Sequence, residues 1–84
     1  MRTANAIYAA ILRILRPLVR LLLRNGVPYG TFADLAKRVY VEMATEEFDI
    51  PGRKQTHSRV SVLTGLSRKE VLRVTRLPRP DDAE

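Results

Sequence analysis

Apolar residues fall at three- and four-residue steps through most of the chain, the spacing of helices with one inner face. Between residues 3 and 25, Ile7, Ile11, Ile14 or Leu15, Leu18 and Leu22 keep that period, and Leu12, Val19, Leu21 and Leu23 widen the apolar face. Arg13, Arg16, Arg20 and Arg24 follow the same period as a basic stripe. Asn25-Gly26 is a stop signal, and Pro28 confirms the end of this first helix. Pro17 removes a backbone N–H and crowds the preceding turn, so the helix should kink near Arg13–Arg16 or restart with Pro17 in a new first turn.

A second helix is expected over residues 31–47. Thr31 is its candidate N-cap and Asp34 lies near the positive end of its dipole. Phe32, Leu35, Ala36, Val39, Tyr40, Met43 and Ala44 form its expected inner stripe. The run Val39-Tyr40-Val41 resembles a strand, but the longer 3.6-residue period outweighs it. Residues 48–55 read as a loop with a Pro51-Gly52 turn and Ile50 tucked inward.

The stretch 56–76 then reads as two short helices, near 57–64 and 67–76. Thr56 caps the first, with Val60 and Leu63 on one face. Gly65 permits the sharp turn and Leu66 is a buried plug. Ser67 and Glu70 have capping-box spacing, and Val71, Val74 and Leu72 supply the inner face of the last helix.

This order of residues resembles the helix-turn-helix of bacterial repressors. The match rests on apolar Val60, small Ser61, Gly65, the plug Leu66, the cap Ser67, and Val71 and Val74. Ser61 stands where alanine or glycine is usual. A structural corner of two helices can share the pattern, but the outer face of the second helix is basic: Arg68, Lys69, Arg73 and Arg76 against Glu70. In such motifs the start and outer face of the second helix enter the major groove, where Arg and Lys meet phosphates and guanine edges.

Charge reinforces that expectation. The net charge of +6 is unevenly spread. Residues 1–30 hold five arginines and no acid, residues 31–50 two bases and five acids, and residues 51–80 eight bases and one acid. The basic excess peaks on the helix-turn-helix pattern, as expected of a nucleic-acid binder. Residues 77–84 are Pro-rich and then acidic, an expected disordered tail.

Eighty-four residues allow one small, aliphatic core, with no tryptophan. Without cysteine, disulfides and thiolate metal sites are unavailable, and the lone His57 has no second ligand for a metal. There is no paired-carboxylate, nucleophile or Gly-rich phosphate-loop pattern, so the expectation is a non-enzymatic, cofactor-free, cytoplasmic protein. The first helix has three competing roles: a core helix with solvated arginines, a dimer or partner face through Ile11, Leu15, Leu18 and Leu22, and, given least weight, a membrane-surface helix. Arginine every three or four residues excludes a membrane span, and the segment makes a poor secretory signal.

The stretches ILRPLVRLLLRNGVPYGTFADLAKRVYVE and PGRKQTHSRVSVLTGLSRKEV resemble the N-terminal part of a bacterial family of uncharacterised proteins, over roughly residues 11–75. Members of that family are longer and continue beyond the helix-turn-helix. The resemblance therefore implies a fragment, an excised domain or a short member, and it lends no catalytic residue.

Together these patterns predict an all-α domain over residues 1–76, without a wing, that binds duplex DNA in transcriptional regulation. Arg68, Lys69 and Arg73 would contact base edges or nearby phosphates beside the cap Ser67. Arg53, Lys54, Thr56, His57, Arg59 and Arg76 would hold the phosphate backbone. The alternative is a protein-interaction module, docked through the first helix and without DNA binding.

Overall fold

The first helix ends at the Asn25-Gly26 signal. In a computed structural model, which describes residues 2–48 and 50–78, α1 spans Arg2–Arg24. Gly26 takes φ +69°, and the Val27 amide donates to the Leu22 carbonyl at 2.9 Å, closing the helix with a left-handed glycine. The Asn25 side-chain amide donates to the Leu21 carbonyl at 2.8 Å. Helix α1 runs through Pro17 without a break.

Helix α2 (Tyr29–Glu47), α3 (His57–Thr64) and α4 (Arg68–Arg76) follow, and the described residues contain no strand. The chain is all-α, as its periodicity requires. The acidic tail expected over residues 77–84 lies outside the described residues from residue 79 onward.

The chain divides into two compact units, residues 1–32 and residues 33–84. In the first, α1 leads through the Gly26 turn into the start of α2. That helix begins at Tyr29, two residues before the expected start, with the Phe32 amide donating to the Pro28 carbonyl at 3.2 Å. Thr31 is thus inside the first turn rather than its cap.

In the second unit, α2, α3 and α4 share a small valine-rich core of Val41, Ala44, Val60, Val71 and Val74, with Leu66 and Leu77 packed against it. The inner face of α2 differs from the expected stripe. Val41 and Ala44 are buried, while Leu35, Val39, Tyr40 and Met43 are exposed. Lys37 and Arg38 occupy the α2 face next to Val41, because both reach α4. The Arg38 guanidinium donates to the Val74 carbonyl at 2.8 Å and to the Leu77 carbonyl, satisfying carbonyls at the C-terminus of α4. Gln55 likewise donates to the Ala44 carbonyl at 3.0 Å, near the end of α2. Leu63 is 43% exposed rather than part of the inner face, and Ile50 is exposed instead of tucked in.

Candidate nucleic-acid interface

Helix α3 starts at the expected cap: the Thr56 hydroxyl accepts from the Arg59 amide at 3.2 Å. It stops at Gly65, which takes φ +77° and donates its amide to the Ser61 carbonyl at 2.9 Å. Ser61 is more than a small residue at a close approach. Its hydroxyl donates to the Leu66 carbonyl across the turn. Thr64 adds a second clasp, its hydroxyl donating to the Val60 carbonyl at 2.8 Å and accepting from the Leu66 amide at 3.2 Å. The turn is therefore fixed by two α3 side chains, Ser61 and Thr64, that reach across Gly65 to the backbone of Leu66.

Ser67 caps α4, accepting from the Glu70 amide at 3.1 Å. Only this half of the expected capping box forms. The Glu70 carboxylate turns to Arg73, at 2.8 Å from each of two guanidinium nitrogens, and to Lys37 at 2.9 Å.

With Val71 and Val74 fully buried, the opposite face of α4 carries Lys69, Arg73 and Arg76 at steps of three and four, together with Leu72, which lies there rather than on the expected inner face. Arg68 lies at the flank of that face. Arg68, Lys69 and Arg76 are exposed and make no hydrogen bond or ion pair through their side chains among the described residues. Arg73 is exposed but not free. It reaches Asp34 of α2 at 2.7 Å and 3.4 Å in addition to Glu70. The hydrogen bond from Arg73 holds the Asp34 carboxyl below the usual carboxylate range. Hydrogen bonds from Arg73 and then Lys37 bring Glu70 down to about 2. The same carboxylates push the Arg73 guanidinium further up. Asp34, Lys37, Glu70 and Arg73 thus form a charge-balanced bridge between α2 and α4.

At the start of α3, Arg53, Lys54, Thr56, Ser58 and Arg59 line one depression. Arg53 and Lys54 are exposed, with no side-chain partner among the described residues. Arg59 is committed to the fold, donating to the Phe48 carbonyl at 2.9 Å. His57 lines a different depression, together with Glu42 and Glu46, so its surroundings include acids. Sequence reasoning missed Lys37, Arg38 and Asp34 as partners of α4, because residues 33 to 39 positions apart leave no local signal.

Ile11 of α1 is exposed, and Leu15, Leu18 and Leu22 are partly so; no described residue of α1 is buried. Among the described residues, no helix is long and apolar enough to cross a membrane.

Residues 4–83 match a family described as a "Family of unknown function (DUF6502)", and the chain belongs to that family. No curated protein and no solved structure matches it.

Proposed function

We propose that this member of a family of unknown function binds duplex DNA, with α3 and α4 acting as a helix-turn-helix and α4 entering the major groove. The observation that carries the reading is the outer face of α4. Lys69 and Arg76, with Arg68 at the flank, are exposed cations without a partner among the described residues, directly opposite the buried Val71 and Val74. Such cations on the outer face of a helix are available to phosphates and base edges. Arg53 and Lys54 ahead of α3 would add backbone contacts, and Thr56 would present the start of α3 to a phosphate. Arg73 can offer its charge to DNA only by giving up Asp34 and Glu70, so readout falls first to Arg68, Lys69 and Arg76. We extend this reading to transcriptional regulation, which would require the binding to be sequence-selective rather than general.

The test is fluorescence anisotropy with a labelled random-sequence duplex over a salt series, comparing wild type with Lys69→Ala/Arg76→Ala. For every phosphate that the variant no longer neutralises, the slope of log K against log salt should become shallower by about 0.9. Wild-type binding that falls with salt, with a shallower slope in the variant, supports the reading. Absence of binding at low salt, or a variant indistinguishable from wild type, removes it.

A further inference from the structure

Helix α1 has chemistry that the DNA reading does not use. At 3.6 residues per turn, Arg2, Arg13, Arg16, Arg20 and Arg24 fall within an arc of about 80°. The leucines, isoleucines and valine of α1, with Tyr8, occupy another arc of about 200°. No acidic residue occurs among residues 1–30. None of the described α1 side chains is buried, and Ile7, Leu12, Ile14, Leu21 and Leu23 are each more than half exposed.

We propose that α1 lies in the surface of a bilayer containing anionic lipid, its leucines and isoleucines among the acyl chains and its arginines among the headgroups. The choice of occupant rests on covering both faces at once. A nucleic acid would satisfy the arginines and leave the wide apolar arc in water. A second copy would seal an apolar stripe of about 100° and leave the rest of that arc and every arginine unmatched. The bilayer interface supplies both environments along the whole helix, and arginine stems can cross from one to the other. Five arginines without a neighbouring acid select a negatively charged surface. Pro17 fits the same orientation. It lies beside the arginine arc, on the same side as Arg13, whose carbonyl it leaves without an i+4 donor. That carbonyl faces water and headgroups rather than hydrocarbon, where an unmet backbone group is costly.

The experiment uses the full chain in a flotation assay with vesicles of phosphatidylcholine alone or mixed with phosphatidylglycerol, at two salt concentrations. Binding to the mixed vesicles should exceed binding to phosphatidylcholine at least tenfold and fall with salt. Arg13→Gln/Arg20→Gln should weaken it about 25-fold, at about fivefold per arginine near a charged surface. Leu18→Glu should abolish it, with helix content checked by circular dichroism. Lys69→Ala/Arg76→Ala should leave it unchanged, which separates this site from the α4 surface. The proposal is overturned by absence of flotation at low salt, by equal binding to both vesicles, or by loss of binding in the α4 variant alone. It is also overturned if Leu18→Glu changes the mass in solution from dimer to monomer without affecting flotation, since a second copy would then cover the face.

Discussion

Arg73 of α4 and Asp34 of α2 meet at 2.7 Å, joining two residues 39 positions apart on the surface proposed to face DNA. With Glu70 also on Arg73, one arginine of that face is already neutralised inside the protein. The bridge sets the position of α4 against α2, but it also places two carboxylates where a phosphate backbone would approach. Positioning and binding therefore compete at this point. Because the side chains are substantially exposed, the pairs are screened and add only modestly to stability.

Releasing Arg73 should strengthen DNA binding. Asp34→Asn/Glu70→Gln removes both acids and leaves the guanidinium available for one more phosphate, so the salt slope should steepen by about 0.9 and affinity at low salt should rise. In the wild-type background, Arg73→Ala should change affinity less than Lys69→Ala does. Anisotropy titrations of the three variants decide the matter. A larger loss from Arg73→Ala than from Lys69→Ala would mean that DNA itself displaces the acids.

The lowered carboxyls make stability depend on acid. Glu70 falls from the ordinary 4.5 to about 2, and Asp34 is also lowered. In the unfolded chain both would bind protons at a higher pH than in the fold, so stability is retained above the ordinary carboxylate range and lost as pH falls towards 2. The urea midpoint should therefore drop between pH 4.5 and pH 2. Glu70→Gln should flatten that drop while lowering the midpoint at neutral pH. A drop of the same size in the variant would assign the acid sensitivity to other groups.

The core should be unforgiving for its size. Val74 is 0% exposed and Leu63 is 43% exposed, although helical spacing predicts an inward position for both. Val74→Ala deletes two buried carbon groups and leaves a space, at a cost of about 2 kcal/mol. Leu63→Ala should cost less than half as much despite removing the larger side chain. Chemical denaturation of the two variants gives the comparison, and equal losses would place Leu63 in the core.

These contrasts show which parts of the fold the sequence encodes locally. Thr56, Gly65 and Ser67 each act within four residues, through a cap or a left-handed turn, so the boundaries of α3 and α4 could be read directly. The packed face of α2 could not. The most apolar stripe, Leu35, Val39, Tyr40 and Met43, is exposed, while the inner side takes Val41 and Ala44 flanked by two cations. Lys37 and Arg38 look like surface residues until Glu70 and the end of α4 are placed against them. The same non-locality hid the fate of Arg73: sequence shows that it points outward but not that Asp34 is waiting there.

Gly65 offers the sharpest test of how the α3–α4 turn is held. Its φ of +77° is left-handed, yet a Cβ built there would meet nothing within 4 Å. The cost of Gly65→Ala should therefore be conformational alone, about 1 to 2 kcal/mol, with no added clash. Gly65→Asn should cost less, because asparagine tolerates left-handed geometry better than alanine does. Ser61→Ala removes the hydroxyl that spans to the Leu66 carbonyl and should cost about 1 kcal/mol by a separate route. If the backbone strain and the Ser61 clasp act independently, the losses in the Gly65→Ala/Ser61→Ala variant should add. A double variant no worse than Gly65→Ala alone would mean that the clasp forms only when residue 65 adopts the left-handed turn.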